Sequence, residues 1–302
     1  MNPMRILVTG ASGFLGKHLV QTLGESFPSA VLFGIDKRSD SGPCECYPVD
    51  LADPVGVRPV VREIRPDWVF HLAGNVPSGD WRELFRSNVE TTIHLMESLL
   101  DCDKAPKVVV PASAAELGRF EPADLPLGED RAPFPVTPYG VSKACQTAVA
   151  RYHSVRGLEV VIGRVFNVVG EGIPESLSIG SFAAQLRRVR KGDAPPRILV
   201  GNLEAKRDFI DVRDVASALI HLARRGRNGE IYNICSGRSH SIRDVLATMI
   251  RCSGLSVDIV SDPGRVKPSD IPDSYGDNGK IFRDTGWRPA IPLEETLRRI
   301  VS

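Results

Sequence analysis

The stretch Arg5-Ile-Leu-Val-Thr-Gly10-Ala-Ser-Gly13-Phe-Leu-Gly16-Lys-His-Leu-Val20 reads as a short β-type run, a turn punctuated by three glycines and the start of a helical pattern. Glycines let the backbone approach a pyrophosphate, whose charge is met by the unpaired N–H groups of the helix N-terminus. The spacing is GxxGxxG, one residue longer than the GxGxxG fingerprint. An ordinary glycine-rich turn would satisfy that spacing alone. What decides for a dinucleotide loop is a second run, Val31 to Ile35, ending at Asp36, twenty residues after Gly16, where an acceptor for ribose hydroxyls belongs. A P-loop is excluded, because Gly10 and Gly16 stand one residue too far apart and Lys17 is followed by His18 rather than Ser or Thr. The loop residues Gly10, Ser12, Gly13, Phe14, Leu15 and Gly16 are therefore candidate cofactor contacts, with Asp36, Lys37 and Arg38 at the next strand end.

Outward from that loop, β-type runs recur at 5–9, 31–35, 68–72, 107–111, 159–163 and 230–234, mostly separated by helical patterns. This alternation predicts an α/β fold, a Rossmann-type doubly wound parallel sheet. Its ligand should lie at the carboxyl ends of the strands, where Gly10, Asp36, the turn His71-Leu72-Ala73-Gly74 and Ser113 fall. The Pro-rich stretch 120–138 reads as a loop leading into a helix. After Asn167 the pattern loosens. The expected division is a nucleotide-binding domain over 1–166 and a smaller substrate-binding lobe over 167–302, with a return to the sheet near 230–235.

Composition narrows the function. The chain has 302 residues, and its 38 basic side chains against 37 acidic ones create no global field for nucleic acid. The basic stretch Arg187-Arg188-Val-Arg190-Lys191 reads as a solvated helix end. No apolar run approaches a membrane span, and Ile6 to Val8 lead into the glycine loop rather than a cleavage site, so a cytoplasmic protein is expected. Six cysteines without a CxxC pair read as free thiols, and six histidines without clustered spacing predict no metal.

Within Pro138-Tyr139-Gly140-Val141-Ser142-Lys143 the phenol and the ammonium stand four residues apart, on one face of a helix. A phenol ionises near pH 10, so cycling its proton at neutrality means offsetting about 4 kcal/mol. A cation about 4 Å away, at an effective dielectric near 20, is worth on the order of 4 kcal/mol. Of five tyrosines, only Tyr139 has a lysine four positions later. A solvated helix face would show the same pair. The glycine loop upstream is what turns the reading towards nicotinamide chemistry.

Together, Thr9-Gly-Ala-Ser-Gly-Phe-Leu-Gly16, Asp36, Ser113 and Tyr139-to-Lys143 resemble the extended short-chain dehydrogenase/reductase family, from about Arg5 to Val301. Within it, Arg164-Val-Phe-Asn167, the segment Val200 to Asp214, Tyr232-Asn-Ile-Cys-Ser-Gly237 and Thr285-Gly-Trp-Arg-Pro289 are most similar to reductases of GDP-4-keto-6-deoxy-D-mannose, which make GDP-D-rhamnose. The resemblance implies a catalytic set of Ser113, Tyr139 and Lys143, with Lys143 also on the cofactor ribose. It implies further cofactor contacts at Asp50, Leu51, Leu72, Ala73, Gly74, Asn88 and Phe166, and substrate contacts at Ser113, Asn167, Arg207 and Lys267. NAD(H) is the expected cofactor, with NADP(H) tolerated. The expected assembly is a homodimer through helices at about 139–156 and 88–101, whose second apolar face would include Val141, Ala144, Cys145, Ala148, Val149, Leu95, Met96 and Leu99.

The departures from the family pattern are informative. Dehydratases of the family carry an acid two positions after the Ser/Thr, and Ala115 stands there, which disfavours elimination. Glu116, next to it, is expected to face elsewhere. Val168, Glu171 and Lys267 differ on the substrate side, and the loop 73–88 is short. The resulting expectation is reduction of a nucleotide-linked 4-keto-6-deoxyhexose. A 4-epimerase that retains its cofactor is the alternative, and a non-enzymatic nicotinamide sensor the third.

Overall fold

The computed structural model describes residues 3–37, 44–74, 80–265 and 271–302. The chain first lays down six strands: β1 (Arg5–Thr9), β2 (Val31–Asp36), β3 (Glu45–Pro48), β4 (Trp68–His71), β5 (Lys107–Ser113) and β6 (Glu159–Val165). Four short ones follow, β7 (Asn167–Val169), β8 (Arg197–Val200), β9 (Lys206–Arg207) and β10 (Phe209–Asp211), before β11 (Ile231–Ile234) rejoins the main sheet. That sheet runs β11-β6-β5-β4-β1-β2-β3, and every pairing in it is parallel. The order reverses direction beside β1, the switch point at which a doubly wound sheet opens a crevice.

The helices that matter here are α1 (Phe14–Ser26), α2 (Pro54–Ile64), α3 (Trp81–Phe85), α4 (Thr91–Leu100), α5 (Pro138–Val155), α6 (Ser178–Lys191) and α7 (Val212–Arg225). Strands buried on both faces read as near-continuous Val/Ile/Leu runs, and β5 and β6 do. One face packs Ile6, Val8 and Val161 against Leu19, Leu23, Val215 and Leu219 from α1 and α7. The other packs Leu7, Val69, Val108 and Val160 against Val57, Val61, Leu95, Leu99 and Ala150 from α2, α4 and α5. α6 and β8 contribute to a separate cluster with Phe182, Leu186, Ile198 and Met249.

Three details correct the sequence reading. The edge strand β3, only four residues and exposed or half-buried throughout, has too little apolar pattern to be legible. Leu95, Met96 and Leu99 do not form an outward face of α4; they are fully buried in the core beneath the sheet. The outward surface instead carries Ile93, Tyr152 and Val155, with Val141, Ala144, Cys145 and Val149 half-buried and Ala148 exposed on α5. The helix expected over 88–101 enters through a π turn, Arg86–Glu90, before α4 begins.

Candidate active site

Gly10 follows β1 with φ +68, a left-handed backbone that an L side chain adopts at a cost. A Cβ there would lie 2.8 Å from the Ala73 nitrogen. One turn on, a Cβ at Gly16 would lie 2.1 Å from the Gly10 carbonyl oxygen. The loop therefore folds tightly against both the start of α1 and the turn after β4. α1 begins with no side-chain cap and no acid in its first turn, which leaves its positive end available to an anion. Inside the loop the Ser12 hydroxyl is shielded from solvent and has no hydrogen-bond partner among the described residues, while the Ser12 N–H donates to Asp36 Oδ2 at 3.1 Å. Backbone clearance, an uncapped helix start and an orphaned hydroxyl fit a dinucleotide pyrophosphate.

The rest of this end of the sheet is assembled from neighbouring strand ends. Asp50 sits at the exit of β3, where its Oδ2 accepts from Lys37 at 3.3 Å and from Arg86 at 3.4 Å, and its Oδ1 from the Ala52 N–H at 2.9 Å. Burial works against that carboxylate, but the Ala52 N–H and Lys37 outweigh it and hold it below its ordinary value. Leu51 is buried, and its carbonyl bonds the His94 ring at 3.0 Å. Leu72 and Ala73 donate their N–H groups to the Thr9 carbonyl and hydroxyl, at 3.1 and 3.2 Å. Gly74 lies so close to Asn88 that a Cβ would be 2.6 Å from its Oδ1, and Asn88 Nδ2 donates to Ser142 on α5 at 3.0 Å. Arg38 lies outside the described residues.

Ser113 ends β5 in register with Val165 of β6, two residues before Asn167. Thr137 caps α5 by accepting from the Gly140 N–H, with Pro138 at the first turn, so the helix starts with Tyr139 facing Ser113. The Ser113 hydroxyl comes close enough to the phenol to favour its ionised form. Lys143, one turn further, is 8% exposed and donates Nζ to the Pro111 carbonyl at 2.8 Å and to Gln146 Oε1.

The expectation that Lys143 holds the Tyr139 phenol down is not met. Burial pushes the phenol up, the Ser113 hydroxyl opposes that, and Glu116 adds to the rise. Burial pushes Lys143 itself down to about 8, with Glu116 working the other way. The ammonium is engaged by Pro111 and Gln146, which is the physical reason it does not act as the phenol's counter-charge in this geometry.

Glu116 is fully buried and turned beneath the Ser113 turn. Its Oε1 accepts from the Ser113 N–H at 3.1 Å and from Thr147 Oγ1 at 2.9 Å, and its Oε2 lies 3.7 Å from Arg164 Nε. Sequence reasoning also missed a buried polar chain behind Lys143. Gln146 Nε2 donates to Thr92 Oγ1 at 2.9 Å, and Thr92 donates onward to the Asn88 carbonyl at 2.7 Å. That assigns the proton of His71 Nε2 towards Thr92, 2.9 Å away, and leaves Nδ1 to accept from Thr9 at 2.8 Å. The available signal was polar residues at helical spacing from Lys143 within otherwise apolar helix faces.

Of the other expected contacts, Phe166 is buried with Leu117, Leu127 and Cys235. Asn167 is tied to the Asp208 carbonyl by its N–H at 3.0 Å and its Nδ2 at 3.1 Å, which brings it beside Arg207. Arg207 donates to the Ile271 carbonyl at 2.6 Å. Asp208 accepts from Ser236 and Gly237, and Asp211 from Arg213. Lys267 lies outside the described residues.

Residues 6–235 match the model of the NAD dependent epimerase/dehydratase family. Over 99% of its length the chain is 32% identical to the GDP-6-deoxy-D-mannose reductase of Pseudomonas aeruginosa and covers 96% of it. The structure of RMD from Pseudomonas aeruginosa complexed with NADPH is similar with TM-score 0.88 and 29% identity, over 99% of this chain and 96% of that one. The UDP-glucose 4-epimerase of Thermus thermophilus in complex with NAD is similar with TM-score 0.87 and 27% identity, over 99% of this chain and 98% of that one.

Proposed function

This chain belongs to the NAD dependent epimerase/dehydratase family, and from that premise we propose that it is an NAD(P)-dependent oxidoreductase that reduces the C4 keto group of a nucleotide-linked 4-keto-6-deoxyhexose. The proposed substrate is GDP-4-keto-6-deoxy-D-mannose and the proposed product GDP-D-rhamnose. The observation that carries the reading is the Ser113 hydroxyl close enough to the Tyr139 phenol to favour its ionised form, beside buried Lys143, with no acid at position 115. Similarity to the Pseudomonas reductase over nearly the whole chain supports the sugar class.

When bound, the reduced nicotinamide supplies a hydride to C4. The Ser113 hydroxyl donates to the C4 oxygen, and Tyr139 gives its proton to the alkoxide that develops there. A phenol whose ordinary value is already high, raised further by burial, stays protonated at neutral pH and so stands ready as the acid. Lys143, held by Pro111 and Gln146, would bind the cofactor ribose. Ala115 offers no base to remove the C5 proton, so the sugar keeps it. Gly10, Ser12, Gly13, Phe14, Leu15 and Gly16 would hold the pyrophosphate. Asp36 would take the adenosine ribose, Asp50 and Leu51 the adenine. Leu72, Ala73, Gly74, Asn88 and Phe166 would line the path to the nicotinamide, and Asn167, Arg207 and Lys267 would hold the nucleotide sugar. Residues 167–302 would supply most of the substrate cover, and two copies would pair through the outward faces of α4 and α5.

A 4-epimerase is the second reading, favoured by the likeness to the Thermus epimerase. The two separate on cofactor stoichiometry. The reductase should consume one reduced cofactor per sugar when offered a nucleotide-linked 4-keto-6-deoxyhexose. Interconversion of a GDP- or UDP-hexose with its C4 epimer, by protein carrying bound NAD⁺ and without net change in the absorbance of reduced nicotinamide, would replace the reductase with the epimerase.

A further inference from the structure

A buried carboxylate outside the glycine loop joins the two elements that carry the reactive groups. Glu116 lies in the 3-10 turn Ala114–Glu116 that follows β5, and the turn closes on itself by a capping box. The Glu116 side chain accepts from the Ser113 N–H, while Ser113 Oγ accepts from the Ala115 N–H at 3.2 Å. The same Oε1 takes the Thr147 hydroxyl from α5, one turn beyond Lys143. One oxygen thus spans the strand end bearing Ser113 and the helix bearing Tyr139 and Lys143.

The other oxygen has a different task. Oε2 is shielded from solvent without a hydrogen bond among the described residues, as is Arg164 Nε opposite it at 3.7 Å. Arg164 is 1% exposed, and its further contact is to the Glu129 carbonyl at 3.5 Å. An unbonded oxygen facing an unbonded guanidinium nitrogen is a charge pair held by packing rather than by a hydrogen bond. Removing one member of such a pair leaves the other buried and uncompensated.

We propose that Glu116 is a positioning residue that fixes the Ser113 hydroxyl against the Tyr139–Lys143 helix and places a fixed negative charge beneath them. This rests on the reading of Ser113, Tyr139 and Lys143 as the reactive groups. The titratable groups around Glu116 are Arg164 from β6, with Glu129 behind it, and Tyr139 and Lys143 from α5. Burial raises its carboxyl, and Arg164 together with the Ser113 and Thr147 donors opposes the rise. Its field keeps both Tyr139 and Lys143 more protonated than burial and Ser113 alone would leave them.

Glu116→Gln keeps an acceptor for Ser113 and Thr147 and removes the charge. Lys143 titration is followed in the cofactor-free protein by ¹³C NMR of labelled lysine, its signal assigned with Lys143→Arg. The expected result is a Lys143 midpoint lower by about half a pH unit or more, with kcat down on the order of tenfold and cofactor Kd within about twofold of the parent. An unmoved Lys143 midpoint, or an unchanged kcat, overturns the proposal. Should Glu116→Gln not fold, Thr147→Val decides: a kcat loss restored by Thr147→Ser supports the tie, and parental kcat in Thr147→Val overturns it. The lysine titration needs no sugar. A parent enzyme inactive on every nucleotide-linked keto sugar would therefore remove the reductase reading while the Lys143 midpoint still judged Glu116.

Discussion

The Ser12 N–H donates to Asp36 Oδ2 at 3.1 Å, so the carboxylate at the end of β2 is locked to the middle of the glycine loop. Asp36 is thereby held where a ribose would approach, and a 2′-phosphate would meet its charge. Lys37, a candidate cofactor contact from the sequence, pairs with Asp50 at 3.3 Å. NADH is therefore expected to bind more tightly than NADPH, and Asp36→Ala should shift the ratio towards NADPH by roughly tenfold, about 1.4 kcal/mol. Fluorescence titration with both cofactors checks it; parental protein binding NADPH ten times more tightly would reverse the role given to Asp36.

Tyr139→Phe removes the hydroxyl beside Ser113 and the proton the reaction needs. General acid catalysis is worth roughly 10² to 10⁴ in rate, so kcat should fall by about that factor with cofactor affinity nearly unchanged. Steady-state kinetics beside cofactor titration separates the two. A variant with parental kcat would sink the mechanism.

His71 gives a stability signature. Its ring is enclosed between Thr9 and Thr92, and burial, with Lys143 nearby, depresses it from 6.5 to about 3. The unfolded chain therefore binds a proton that the folded one refuses at any pH between those values, and stability must rise with pH across that window. The contribution is complete above pH 6.5 and is lost as pH falls towards 3. At pH 5 the loss from this group should be about 2 kcal/mol. Urea unfolding at pH 7 and pH 5 should show a smaller difference for His71→Gln than for the parent; equal differences would mean that His71 titrates freely.

The outward faces of α4 and α5 leave Tyr152 52% and Val155 83% exposed, with Ile93 on the neighbouring helix at 37%. Burying that surface between two copies would give a four-helix contact. Light scattering at micromolar concentration should report twice the mass of one chain, and Val155→Glu with Tyr152→Glu should halve it. A parental monomer would rule out this contact.

The local parts of the site are readable from sequence because local rules make them. Gly10 and Gly16 are required wherever a chain passes from strand to helix that closely, and Asp36 is recognisable by its distance from them. The parallel sheet follows from apolar runs long enough to be buried on both faces, as in β5 and β6. The strand β3 escaped notice because an exposed edge needs no apolar pattern.

Tertiary structure alone decided what depends on contacts between distant segments. Sequence places Tyr139 and Lys143 on one helix face, but whether the ammonium lowers the phenol depends on what else reaches it, and Pro111, 32 residues back, does. Sequence expects Glu116, beside Ala115, to face elsewhere, but only the fold shows what it faces, Arg164 and Thr147 in the interior. Leu95 and Met96 look like an interface until the sheet covers them. Helical periodicity states which residues share a face. Which partner covers that face, and which charges it buries there, is settled only when the chain packs, because desolvation and Coulomb energy depend on neighbours in space rather than in sequence.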